Sequence, residues 1–88
     1  MIERTVLITN RRGLHARASA KFVTMASGLP AVVEVEKDGS SVVGTSIMGL
    51  MMLGAAMGDS VTIRATGDGA EQAVNALADL VEAKFGEE

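Results

Sequence analysis

The sequence predicts an α+β fold in a single domain, residues 1–88: a four-stranded antiparallel sheet covered on one face by three helices, in the order β-α-β-β-α-β-α. Three observations predict it. Short apolar/polar alternations recur with charged or hydroxyl residues on the outer face, as a sheet with one face in water requires. Asp38-Gly39 sits between two such runs, the pairing expected of a two-residue hairpin turn. Longer stretches on either side change to the helical period, so helices and strands must share one core in two layers.

Taken in order, residues 2–9 (IERTVLIT) have strand composition, with Ile2, Val6 and Ile8 on one face and Arg4 an exception on it. Asn10-Arg11-Arg12-Gly13 reads as a loop. From Ala16 to Ser27 the apolar positions Ala18, Phe22 and Met25/Ala26 follow helical spacing, and Gly28 with Pro30 stops the helix. Ala31 to Lys37 alternates, placing Ala31, Val33 and Val35 inward and Glu34 and Glu36 outward. Ser40 to Val43 returns as the hairpin partner. Ile47 to Leu53 reads as a short helix. Val61 to Thr66 alternates again, and a final helix over about 70–85 carries the stripe Ala73, Val74, Leu77, Leu80, Val81 and Phe85, with an Asp68…Glu71 capping arrangement at its start.

Composition excludes several functions. There is no cysteine and only one histidine, so neither a disulfide framework nor a thiolate or histidine-rich metal site is expected. Phe22 and Phe85 are the only aromatics, which leaves no stacking platform for single-stranded nucleic acid. The net charge of −3 divides unevenly: residues 1–30 carry +4 and the remainder −7. A local basic patch on an acidic chain suits a small anion or an acidic partner better than a long polyanion. Gly39 to Gly58 is uncharged, but its apolar part, Ile47 to Met57, falls short of the roughly 20 residues that spanning a bilayer needs. No secretory h-region follows the N-terminus. The expectation is a cytoplasmic protein that neither binds nucleic acid nor inserts into a membrane.

Two places depart from what stability alone would select. His15 falls at the N-cap of the first helix, where Ser, Thr, Asp or Asn would be better by about 1 kcal/mol. A lone histidine is ordinarily an unremarked surface residue. Here it stands beside unpaired helix N–H groups and the positive end of the macrodipole. Arg17 and Arg12 lie close in sequence, with guanidinium forks suited to phosphate. A neutral imidazole is a nucleophile near pH 7. With no Ser, Cys or Asp nearby to form a dyad, these features describe a phosphoryl acceptor rather than a general base. The second place is Ile47 to Leu53 (IMGLMML). Leu50 and Leu53 lie on one side of this helix, Ile47, Met48, Met51 and Met52 on the other. Either the helix is deep in the core, or its methionine face is an adaptable docking patch. Ser46 begins that helix, either as a plain N-cap or as a regulatory phosphosite whose phosphate the helix terminus tolerates.

Gly13-Leu14-His15-Ala16-Arg17 resembles the active-site signature of HPr, the histidine phosphocarrier family of the phosphoenolpyruvate-dependent sugar phosphotransferase system. Ser46-Ile47-Met48-Gly49 resembles the family's second signature, around a regulatory serine, and the separation of the two matches. The resemblance implies an open-faced β-sandwich with sheet order 1-4-2-3. It implies that His15 takes a phosphoryl group on Nδ1 from phospho-enzyme I and passes it to IIA-type proteins. Arg17 would stabilise the phosphate, with the Ala16–Ala18 turn and Arg12 around it. Leu14, Ile47, Met48 and Met51 would form the docking surface. Ser46 would be the target of an HPr kinase/phosphatase in organisms that have one, with transcriptional regulators as further partners. No metal or organic cofactor belongs to such a carrier, and its members are usually monomers.

Two residues depart from the family pattern. Ala18 stands where most members have Pro, and Arg12 where a small polar residue is common. Proline in the first helical turn fixes φ and lacks an N–H, so Ala18 gives up some preorganisation and gains a donor near the phosphate. Arg12 adds positive charge. A second function fits the same residues: a regulatory binding module of a nitrogen-type phosphotransferase branch, controlling partner proteins without sugar transport.

Overall fold

The computed structural model describes residues 1–87. Strand β1 (Ile2–Leu7), helix α1 (Ala16–Ser27), strands β2 (Val32–Lys37) and β3 (Ser40–Val43), helix α2 (Ile47–Met52), strand β4 (Ser60–Thr66) and helix α3 (Ala70–Glu82) follow in the expected order, and a short 3₁₀ turn covers Lys84–Gly86. The strands form one sheet, β1-β4-β2-β3, in which every neighbouring pair is antiparallel. Val6 faces Val61, Ile63 faces Val35, and Ala65 faces Val33, so one apolar row runs across the sheet. Against that row pack Ala18, Phe22 and Ala26 of α1, Leu50 of α2, and Ala73, Val74, Leu77, Ala78 and Val81 of α3, all buried. The other sheet face is open. There the Arg64 guanidinium bridges strands, donating from Nε to Glu3 at 3.0 Å and from a terminal nitrogen to Glu36 at 2.8 Å. These bonds, Glu36 first and Glu3 second, hold it more basic than an ordinary arginine.

The hairpin turn has the geometry its residues dictate. Asp38 and Gly39 take φ of 50° and 84°, as a type I′ turn requires, and Lys37 pairs with Ser40. Arg4 occupies an inward-facing position of β1 without being stranded, because its guanidinium reaches Glu82 at the end of α3, at 3.1 Å.

The ends of β2, α2 and β4 shift by one residue from the sequence reading, and larger differences fall at β1 and at the two ends of α3. The ladder of β1 ends at Leu7. Ile8 nonetheless stays buried, its N–H donating to the Asp59 carbonyl at 2.8 Å and its own carbonyl accepting from Gly58 at 2.9 Å. No side chain caps α3: Gly69 holds the N-cap in the left-handed region, with Gly67 also at positive φ, so Asp68 lies outside the helix and the Asp68…Glu71 arrangement does not form. Helix α3 stops at Glu82 instead of reaching 85. Lys84 and Phe85 then turn through φ of 59° and 54°, and Phe85 drops into the core. Phe85 falls on the α3 stripe at helical spacing in either case, so periodicity could not reveal the break.

Candidate functional site

The loop from Asn10 to Leu14 brings its backbone against the α2–β4 connection. Leu14 donates to the Ala55 carbonyl at 3.0 Å, and Gly13, at φ 61°, lies so close that an added Cβ would stand 2.3 Å from that oxygen. Only glycine meets both demands. Anchored in this way, the loop delivers His15 to the N-cap of α1 in extended conformation, as the sequence predicts.

The imidazole is held from both sides. Nδ1 accepts from the Arg17 backbone N–H at 3.3 Å, and Nε2 lies 2.8 Å from Oε2 of Glu87. Because Nδ1 is an acceptor here, the ring hydrogen belongs on Nε2 and is donated to the carboxylate. The two side chains are mostly covered, with relative exposures of 14% for His15 and 18% for Glu87. The other carboxylate oxygen, Oε1, accepts from Asn10 Nδ2 at 3.2 Å, and the same amide donates to the Gly13 carbonyl at 2.9 Å. Burial works to raise the pKa of Glu87, but hydrogen bonds from His15 and Asn10, together with the charge of Lys21, prevail and hold the carboxyl below its ordinary value. Lys21 also binds the turn itself, donating to the Phe85 carbonyl at 2.7 Å.

The first helical backbone bond of α1 runs from Ser19 N–H to the His15 carbonyl at 2.9 Å, so the N–H groups of Ala16, Arg17 and Ala18 precede it at the helix mouth. Ala16 and the side chains of Arg12 and Arg17 are exposed, and neither guanidinium makes an ion pair among the described residues. Ala18 departs from the expected phosphate site: the whole residue is buried, because its methyl packs into the core, and it offers no exposed surface to an anion.

Helix α2 exposes its methionine face. Leu50 is buried, while Ile47, Met48, Met51 and Met52 are 40%, 71%, 42% and 81% exposed, with Met57 exposed beyond them. Leu14 departs from the expected docking surface: its side chain is only 6% exposed and belongs to the core, because the loop is pinned down at Ala55. Ser46 caps α2, its Oγ accepting from Gly49 N–H at 2.9 Å, and Gly49 packs so tightly against Ser46 and Val42 that a side chain there would crowd the cap. Sequence reasoning missed Asn10 and Glu87. One sat in an apparent loop and the other lies 72 residues from His15, so no local spacing joins them. Among the described residues no group of acidic and imidazole side chains could hold a metal ion, and no helix is long and apolar enough to cross a membrane.

An imidazole at a helix mouth, on an open-faced sandwich of this topology, matches the class of small histidine phosphocarriers. Residues 2–83 match the family model for the PTS HPr component phosphorylation site. Phosphocarrier protein HPr of Neisseria meningitidis is 46% identical over 87 residues, covering 99% of this chain and 98% of that protein. Phosphocarrier protein NPr of Shewanella violacea is 38% identical over 86 residues, covering 98% and 94%. Among solved structures, HPr-C-His from Thermoanaerobacter tengcongensis superimposes with a TM-score of 0.95 at 50% identity, covering 100% of this chain and 99% of that one. The chain belongs to the HPr family of phosphocarriers.

Proposed function

We propose that His15 accepts a phosphoryl group on Nδ1 from phospho-enzyme I and donates it to IIA-type proteins. The observation that carries this reading is the placement of the ring: Nε2 lies 2.8 Å from Oε2 of Glu87, and Nδ1, 3.3 Å from the Arg17 N–H, is turned toward the N-terminus of α1. In the transfer, Nδ1 attacks phosphorus, the N–P bond forms and the donor's bond to phosphorus breaks. The Arg17 N–H, which binds Nδ1 in the resting state, is then beside the incoming phosphoryl oxygens. Those oxygens meet helix N–H groups, the positive end of the dipole and the Arg17 guanidinium, with Arg12 adding to the positive field. Positioning and electrostatics of this kind are what phosphoryl transfer asks of a protein.

Ile47, Met48 and Met51, extended by Met52 and Met57, serve as the docking surface for donor and acceptors. Flexible thioethers let one surface fit several partners. Ser46 serves as a regulatory phosphosite: a phosphate there is tolerated by the helix terminus yet places about two negative charges beside the docking face. The protein works in the cytoplasm as a monomer. Incubation with phosphoenolpyruvate and enzyme I, followed by intact mass analysis, is expected to add one acid-labile phosphate, absent in His15→Ala. Incubation with ATP and a cognate lysate is expected to add an acid-stable one at Ser46.

The likeness to an NPr supports a second reading, in which the carrier belongs to a regulatory branch and controls partners without sugar transport. Transfer from the phosphorylated protein to a purified sugar-transporter IIA domain supports the first reading; transfer only to regulatory IIA proteins supports the second.

A further inference from the structure

The proposed transfer uses Nδ1, Arg17 and the helix mouth, but not the covered carboxylate on the far side of the ring. That carboxylate is placed with unusual care. Lys84, Phe85 and Gly86 all take positive φ, two of them without the freedom of glycine, a strained arrangement for residues with a Cβ. The turn is fastened by Phe85 in the core and by Lys21 on the Phe85 carbonyl. It presents Glu87 so that both carboxylate oxygens are engaged, one by His15 and one by the fully buried Asn10.

From this arrangement we infer that Glu87, held by Asn10, is a positioning residue for phosphoryl transfer: it fixes the reactive tautomer of His15 and balances the charge of the phosphorylated ring. The inference rests on the phosphocarrier reading above. A neutral imidazole in water divides its hydrogen between two nitrogens, and only the form with hydrogen on Nε2 has a lone pair on Nδ1. A carboxylate 2.8 Å from Nε2 favours that form before any donor arrives. When Nδ1 bonds to phosphorus, Nε2 keeps its hydrogen and the ring becomes cationic, so the same carboxylate gains an opposite charge as its partner. No proton has to leave or enter for the step to balance. Asn10 acts at one remove, keeping the carboxylate from rotating away.

The full chain with Glu87→Gln, Glu87→Ala or Asn10→Ala tests this. Long-range proton–nitrogen correlation NMR reports the His15 tautomer without phosphate or partners. Single-turnover mixing with phospho-enzyme I reports the acceptance rate, and the isolated phospho-form reports its lifetime. The wild type is expected to show hydrogen on Nε2. Glu87→Ala is expected to show a mixture of tautomers and an acceptance rate about tenfold lower, the worth of one charge-assisted hydrogen bond, with the KM for enzyme I unchanged. Glu87→Gln keeps an acceptor oxygen without the charge: it retains the tautomer but shortens the lifetime of the phosphohistidine. Asn10→Ala moves the tautomer ratio in the same direction as Glu87→Ala. Where Asn10→Ala fails to fold, the Glu87 variants decide, since Glu87 contributes nothing to the core. An unchanged tautomer in Glu87→Ala overturns the inference. A wild type that takes no phosphate overturns the phosphocarrier reading instead, and the tautomer measurement still decides the role of Glu87.

Discussion

At the residue scale, the carboxyl of Glu87 links the site to stability. Its folded pKa lies below the ordinary 4.5, so ionised Glu87 stabilises the folded chain. The groups facing it are His15, Asn10 and Lys21. That contribution is fully present above 4.5 and is lost as pH falls through the lowered folded value. Glu87→Gln is therefore expected to be less stable than wild type at neutral pH and to match it in strong acid, as urea unfolding at the two pH values would show. A gap that persists in acid contradicts the assignment. Gly13→Ala acts through geometry instead. A left-handed φ costs roughly 1–2 kcal/mol for a residue with a Cβ, and the Ala55 carbonyl must also move. Thermal melts are expected to show a loss of about 2 kcal/mol or more, since left-handed strain and displacement of that carbonyl add together. His15, at the N-cap, was legible because capping is local: the sequence shows an imidazole where a hydroxyl would serve better. Glu87 was not, because only the folded chain brings it to the ring.

At the element scale, α2 shows why pattern alone leaves a choice. An apolar helix all round is compatible with burial or with a docking face, and the sequence carries no term for which side the sheet will cover. Packing decides: Leu50 takes the core and the methionines remain in solvent. Met48→Asp is accordingly expected to change stability by less than about 0.5 kcal/mol, as surface substitutions do. It is expected to raise the KM for enzyme I with little effect on kcat; an unfolded mutant, or unaltered transfer, removes Met48 from the docking surface. The β2–β3 hairpin was legible in full, since Asp-Gly at the turn and alternation on either side specify both the turn and the register. The end of α3 was legible only in its stripe. Phe85 reaches the core by a left-handed turn that nothing in the sequence announces except Gly86, the residue after it.

At the scale of the whole molecule, one core serves two faces with different tasks. The sheet and helices bury a single apolar layer, and Leu77, fully buried between α3 and the strands, is expected to cost about 2–5 kcal/mol when replaced by Ala. Chemical denaturation measures that loss, and a smaller one means that the site collapses around the deletion. The uneven charge along the chain also acquires a place. Of the basic residues of the first segment, Arg12 and Arg17 lie exposed beside the mouth of α1 and Lys21 binds the turn that carries Glu87, while Arg4 pairs with Glu82 at the far end of α3. The fold class and the helix that presents His15 were readable because alternation and turn chemistry agree with one another, and the strand order followed only from the family resemblance that the two signatures carry. Leu14 was misplaced because its burial depends on the Ala55 contact, made across the loop by residues far apart in sequence. The most direct test of His15 as a phosphoryl acceptor is phosphorus NMR of the wild type after treatment with phosphoenolpyruvate and enzyme I. A single phosphoramidate resonance, coupled to the Nδ1 side of the His15 ring and lost in acid, is the predicted result; phosphate on any other residue, or its appearance in His15→Ala, would contradict it.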